Sequence, residues 1–324
     1  MTLPTINRDI GLGLLTVLLL AVVALFFPAF VTPRGLAEVI DDTGILILLA
    51  LGQMLVLLTR SVDLSVAANL ALTGMLVALL NASYPGVGVL PVLLLAPVIG
   101  AGLGAFNGVL VWRLGIPSIV VTLGTLSIYR GLVFVVSGGA WVNSNQMSPA
   151  FLDTVRMPML GLSVLSWMAI AGVVLASLFL SRTTAGRNLY AAGDNPSAAA
   201  YAGIDVGRSQ FLAFTLSGAI AGLCGYLWIS RFAVAYTDVA QGFELQVIAA
   251  CVIGGVSIAG GVGTVAGVVL GALFLGIIKN ALPLMGVSPF WQMAISGLVI
   301  TIAVILNARS DRAPPRRILE EAAA

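Results

Sequence analysis

Ten apolar runs follow one another along almost the whole chain, near residues 11–30, 44–58, 65–82, 88–112, 116–137, 161–181, 209–230, 245–259, 262–281 and 289–307. Most approach the roughly 20 residues that a helix needs to cross the hydrocarbon core of a bilayer. The second and eighth are short for that purpose. Charged residues make up 9% of the 324 residues, against about 25% in an average soluble domain. Mean hydropathy is +1.10. A water-soluble globule is excluded, because so few charges cannot cover its surface. Disorder is excluded too, since it requires low hydrophobicity. The predicted fold class is an all-α membrane protein of about ten transmembrane helices, in one transmembrane domain over residues 1–324. The first run follows Arg8 and Asp9 and has no small-residue cleavage pattern behind it, so a retained anchor is predicted rather than a cleaved leader.

Composition also limits the chemistry. The chain has no histidine, which removes the commonest metal ligand and the usual base near neutral pH. Its two cysteines, Cys224 and Cys251, sit in the apolar stretches AGLCGYL and AACVIGG and read as small buried hydrophobes. No catalytic and no metal-binding residue is predicted. The single lysine, Lys279, lies between Ile278 and Asn280. A phosphate-binding Walker loop needs glycine before its lysine and Ser or Thr after it. Energy for any driven transport must therefore come from a partner or an ion gradient. The net charge of +2 is too small and dispersed for nucleic acid.

Orientation follows from the basic residues. With the N-terminus in the cytosol, ten spans return the C-terminus there, and residues 309–324 form a cytosolic tail. Ten arginines then lie inside (Arg8, Arg60, Arg113, Arg182, Arg187, Arg208, Arg309, Arg312, Arg316 and Arg317) and four basic residues outside (Arg34, Arg156, Arg231 and Lys279), with Arg130 within a span. That distribution obeys the positive-inside rule. The halves also resemble each other. LGAFNG at 103–108 matches LGALFLG at 270–276 with one insertion, and the two segments cross in opposite directions. An inverted repeat, common in transporters, is predicted; chance similarity between Gly/Ala/Leu-rich helices is the plainer alternative. Glycines four apart, as at Gly100/Gly104/Gly108, Gly218/Gly222 and Gly263/Gly267/Gly271, allow helix backbones to approach closely.

The longest internal polar stretch is a cytosolic loop at 182–208. Within it, Asn195 suits an N-cap, Pro196 a first helical position and Gly203 the stop beyond the last. The alanines between them favour helix. So short a helix is not stable alone in water, so it packs on its own bundle or docks in another protein's groove.

In the fifth run, Ser118, Thr122, Thr125 and Tyr129 fall within about 60° of arc on a helix. Hydroxyls facing lipid would lack partners, so this stripe faces protein or a wet path. Hydroxyls suit a neutral polyol; bonding to neighbouring helices is the bland alternative. Asn69 and Thr73 share a face, and with Asn107 they complete the predicted translocation path. Asp63, Arg130 and Glu244 are the charges nearest the apolar zone. A charge at mid-membrane costs about 2.5–3.5 kcal/mol on insertion scales, but all three sit toward span ends. They read as structural charges that hold breaks together, ahead of an ion-coupling role.

The run GRNLYAAGDNPSAAAYAGIDVGRSQFLAFTLSGAIAGLCGYL resembles the signature loop of permease subunits from bacterial ABC importers of the ribose/simple-sugar class. SVDLSVAANLALTGM, GIPSIVVTLGTLSIYRGLVFVVSGG, IAACVIGGVSIAGGVGTVAGVVLGALFLGIIKNAL and SPFWQMAISGLVITIAVI agree with it, in the expected order, over residues 44–308. The chain departs where such permeases read G-I-D-L-S-V-G: Ser61-Val62 precedes Asp63, and Ala67 replaces a glycine. The resemblance implies a multi-pass protein of the bacterial inner membrane that imports a monosaccharide or similar polyol and is not itself an enzyme. It implies a cytosolic ABC ATPase, carrying ATP and Mg that this chain does not bind, an external sugar-binding protein, and a second permease subunit, identical or paralogous. The helix at Asn195–Ala202 becomes the coupling helix, with Gly193, Asp194, Asn195, Pro196, Ala199, Ala200, Gly203 and Ile204 as the coupling residues. Two alternatives stay open: a permease for branched-chain amino acids, and an ion-coupled secondary carrier.

Overall fold

A computed structural model describes residues 8–288 and, beyond them, 290–292, 294, 295, 297, 298 and 301. The tenth run therefore falls largely outside the described residues, and the tail at 309–324 entirely so. The chain is mostly helical. Helix α1 spans Arg8–Phe26 and a 3-10 turn Pro28–Val31; α2 is Pro33–Leu58, α3 Val66–Ser83, α4 Val89–Leu114 and α5 Ser118–Ser137. A segment of short elements follows, with β1 at Val142–Asn143, α6 at Pro149–Arg156 and a hairpin of β2 (Pro158–Met159) and β3 (Leu162–Ser163). Then come α7 (Val164–Arg182), α8 (Thr184–Asp194), α9 (Pro196–Tyr201), α10 (Val206–Phe232), β4 (Val234–Ala235), α11 (Phe243–Ile253) and α12 (Val265–Leu284). Among the described residues, eight helices are long and apolar enough to cross a membrane: α1 to α5, α7, α10 and α12.

Two of the predicted runs differ in length from the helices that form. The run at 44–58 becomes the 26-residue α2, because Thr32 caps Gly35 N at 3.1 Å and Pro33 takes the first helical position. The added turns carry Arg34, Glu38, Asp41 and Asp42, which is why hydropathy alone misses them. The run at 245–259 yields only the 11 residues of α11 and then opens into a glycine-rich loop.

Helices α2 and α10 form the axis. The apolar window of α2 is 83% buried, against 11% for α1, so α1 lies on the outside of the bundle with its leucines and valines uncovered while α2 is wrapped by protein. Helix α10 packs along α4, α3 and α2. Its contact with α4 is made by glycine. A Cβ built on Gly100 would lie 2.2 Å from Gly218 O, and one on Gly104 2.2 Å from Phe214 O. The predicted small-residue faces thus bring two backbones together, which in lipid substitutes packing for the missing hydrophobic drive. Gly271 approaches Ala250 O across α12 and α11 in the same way. Cys224 and Cys251 are buried, with thiols against the α2 carbonyls of Ile45 and Ala50.

Connections gather on two faces. On one, Asp42 accepts from Arg231 Nη2 at 2.8 Å, Arg156 Nη2 donates to Arg231 O at 2.8 Å, and β1 pairs antiparallel with β4. Helix α6 caps this end of α10: Tyr226 OH and Ser230 Oγ donate to Phe151 O. The other face lies beyond Leu58, 16 residues and about 24 Å further along α2. It holds Arg60, the α8–α9 corner and the loop between α11 and α12.

Candidate functional site

The α8–α9 corner is built on caps. Thr183 accepts from Gly186 N at 2.9 Å and starts α8. Asn195 then ends α8 and caps α9, its Oδ1 accepting from Ala198 N at 3.0 Å. Pro196 occupies the first turn of α9, and Gly203, with φ of +80°, closes it. The short helix has the bounds predicted from its caps. Sequence reading missed α8, whose polar and small residues carry no apolar run.

Around this corner the residues predicted to couple divide into exposed and buried sets. Asp194, Asn195, Ala200 and Gly203 are exposed, and Pro196 and Ile204 are half-buried. Ala199 turns inward at 5% exposure. Gly193 is buried against the bundle, where a Cβ would lie 1.7 Å from Leu58 O. The face left outward consists of Ser197, Ala198, Ala200, Tyr201 and Ala202. Tyr201 is 95% exposed, a full aromatic ring offered to water on a helix whose main contacts, among the described residues, are with α8 and α10. No sequence signal singled it out: one tyrosine in an alanine run has no periodicity.

A second cluster surrounds the break between α2 and α3, where Thr59, Ser61, Asp63 and Ser65 are all buried. Buried polar backbone needs partners, and here side chains supply them. With its amide oriented so that both ends are satisfied, Gln53 donates to Asp63 O at 3.1 Å and accepts from Asp63 N at 3.2 Å. Asp63 Oδ1 accepts from Ser65 N at 2.8 Å and from Ser65 Oγ at 2.7 Å. Burial pushes the Asp63 carboxyl above the ordinary carboxylate range, against the lowering effect of these bonds. Asn107 Nδ2 reaches across from α4 to Ser65 Oγ at 2.8 Å.

The hydroxyl stripe of α5 belongs to this cluster. Val62 N donates to Ser118 Oγ at 3.1 Å, and the Thr122 hydroxyl is shared between Ser118 O at 2.9 Å and Val62 O at 3.2 Å. Thr125 Oγ1 bonds back to Thr122 O, and Tyr129 OH donates to Leu103 O at 2.8 Å. Asn69 Nδ2 donates to Gly100 O at 3.0 Å and Oδ1 accepts from Thr73 Oγ1 at 3.1 Å. The structure thus brings Asn107, Ser118 and Thr122 together with Asp63 at one break, and sets Asn69, Thr73, Thr125 and Tyr129 along the helices that lead from it. Nearly all their polar atoms are engaged within the chain. Asn107 Oδ1 is the exception: it is buried and has no hydrogen-bond partner among the described residues.

Arg130 and Glu244 lie elsewhere. Arg130 Nη1 donates to Val239 O at 2.6 Å, fastening α5 to the loop ahead of α11. Glu244 stands in the first turn of α11, where a carboxylate favours the helix N-terminus.

The family model "Branched-chain amino acid transport system / permease component" matches residues 35–304. The chain is 40% identical over 313 residues to the Autoinducer 2 import system permease protein LsrC of Enterobacter sp. (strain 638), covering 96% of this chain and 89% of that protein. It is 39% identical over 312 residues to LsrC of Klebsiella pneumoniae subsp. pneumoniae, covering 96% and 89%. The Escherichia coli (strain K12 / DH10B) LsrC is 38% identical over 306 residues, covering 94% and 87%. No solved structure matches.

Proposed function

The chain belongs to the branched-chain amino acid transport system / permease component family, and from that premise we propose that it is the membrane subunit of an ATP-driven importer for autoinducer 2 or a similar monosaccharide or polyol. It is a transporter permease subunit, not an enzyme. The observation that carries the cargo class is near-full-length similarity to autoinducer 2 import permeases at about 40% identity. The family's printed description names branched-chain amino acids, but the buried hydroxyl and amide cluster at Asp63 holds no charge pair suited to a zwitterion.

The working cycle assigned here is alternating access. A cytosolic ABC ATPase holding ATP and Mg grips α9, an external binding protein delivers the cargo, and a second permease subunit, identical or paralogous, completes the path. Exposure of the α9 face around Tyr201 supports the docking role. The residues Asn69, Thr73, Asn107, Ser118, Thr122, Thr125 and Tyr129 form the wall of the path, and Asn107 Oδ1 is the acceptor available to a cargo hydroxyl. Asp63, Arg130 and Glu244 keep structural roles. In this reading the chain crosses the bacterial inner membrane ten times, as one domain with an inverted repeat and both termini cytosolic. The grouping of Arg8 and Arg60 near the α11–α12 loop, away from Arg156 and Arg231, supports that orientation.

Cargo class is tested by uptake into cells expressing the complete importer, using labelled autoinducer 2 with unlabelled ribose or leucine as competitor. The proposal expects autoinducer 2 uptake that leucine does not reduce. Uptake of leucine in place of autoinducer 2 would contradict it.

A further inference from the structure

Arg60 lies in the loop that follows α2, at a backbone φ of +59°, a left-handed conformation that a side-chain-bearing residue seldom adopts. It is the one exposed residue between Leu57 and Ser61. Its guanidinium crosses to the end of α8: Nε donates to Gly193 O, and Nη2 donates to Asp194 O at 2.7 Å. These carbonyls belong to the last residues of α8, where a helix has unsatisfied acceptors and partial negative charge. A planar cation with several donors is the side chain best shaped to take two of them at once.

Backbone contacts close the junction. Gly261 N donates to Leu58 O at 3.1 Å, and Tyr190 OH donates to Gly263 O at 2.9 Å. A Cβ on Gly260 would meet the Arg60 side chain at 2.4 Å, and one on Gly261 would meet Asp194 at 2.6 Å. The end of α2, the base of the docking helix and the α11–α12 loop therefore meet with no room between them. Three residues beyond Arg60 stands Asp63, whose bonds reach Ser65 and through it Asn107 of α4. Val62, between the two, is held by Ser118 and Thr122 of α5.

We propose that Arg60 is a positioning residue that latches the α8–α9 corner to the α2–α3 break, so that movement of the docking helix is delivered to the Asp63 cluster. The inference rests on α9 being the docking helix and names the connection by which force on α9 reaches the path. Packed elements with discrete arrangements transmit motion where loosely tethered ones absorb it.

The test uses the complete importer purified with its ATPase and reconstituted, with autoinducer 2 as probe. Wild type is compared with Arg60→Gln, which loses the charge and one donor direction, and Arg60→Lys, which keeps the charge but loses the fork. The expected result is unchanged co-purification of the ATPase with the ATP hydrolysed per autoinducer 2 imported rising roughly tenfold in Arg60→Gln, the change equivalent to one charge-assisted hydrogen bond. Arg60→Lys is expected between the two. An unchanged ratio in both variants overturns the latch. Loss of ATPase co-purification in Arg60→Gln also overturns it, by placing Arg60 in the docking surface. Absence of an ATPase from the wild-type preparation removes the docking reading itself, and the latch with it. Should Arg60→Gln fail to accumulate, Arg60→Lys decides alone: a raised ratio supports the latch and a wild-type ratio overturns it.

Discussion

Gly104 has no side chain, and the backbone of Phe214 occupies the place where one would be, 2.2 Å from a built Cβ. Gly104→Val should therefore force α4 from α10 and cost about 1–3 kcal/mol, read as a lowered unfolding temperature in detergent. Gly102, two residues earlier and on the opposite side of α4, has open space around its Cβ position, and Gly102→Val should leave the temperature unchanged. Asp63 allows a second test. Asp63→Ala leaves Ser65 N and Oγ without their acceptor inside the protein, at a cost of about 1–3 kcal/mol, while Asp63→Asn retains an acceptor and should lose less. The raised carboxyl gives this a pH signature. A native state that holds the proton more tightly than the unfolded chain has its full advantage below the ordinary value of 3.8 and loses it as pH climbs through the raised one. Wild-type stability should decline over that window, and Asp63→Asn should lack the decline. Some of this was readable beforehand. The glycine spacing and the stripe Ser118–Tyr129 stand in the sequence, because helical period puts them on single faces. That Val62 takes up the hydroxyls, or that Arg60 reaches Gly193 across 133 positions, has no local signal.

Among the elements, α9 was the most legible, since Asn195, Pro196 and Gly203 each act within one turn and require no tertiary context. Helix α8 was not, and neither was the hairpin whose turn places Leu160 and Gly161 at φ of +53° and +86°, a pairing suited to a two-residue turn. Helix α6 escaped for the same reason as the first turns of α2: the charged and polar residues in both keep mean hydropathy low. The function of such helices comes from the faces they present. On α9 that face is dominated by Tyr201, and exposed tyrosines are favoured anchors in protein interfaces. Tyr201→Ala should weaken ATPase binding by about tenfold or more while leaving the amount of extracted permease unchanged. The check is the yield of ATPase retained on immobilised permease across a dilution series.

At the scale of the whole molecule, a greasy bundle with α2 and α10 at its axis has one exposed short helix on the face that gathers Arg60 and the α11–α12 loop, and a buried polar break immediately beneath it. Among the described residues, eight of the nine predicted runs form helices long enough to span, because bilayer thickness sets helix length, while the run at 245–259 yields only the short α11. Which helices form the axis was not readable, since α1 is the more apolar of the pair and yet α2 is the one the bundle surrounds. The central claim is that this subunit is driven from the cytoplasm by a nucleotide-hydrolysing partner seated on α9. The most direct measurement is uptake of labelled autoinducer 2 into proteoliposomes containing the permease, its binding protein and its ATPase, with ATP supplied and the proton gradient collapsed by an ionophore. The account predicts uptake that requires ATP and the ATPase and is unaffected by the ionophore. Uptake by the permease without an ATPase, abolished when the gradient is collapsed, would contradict it.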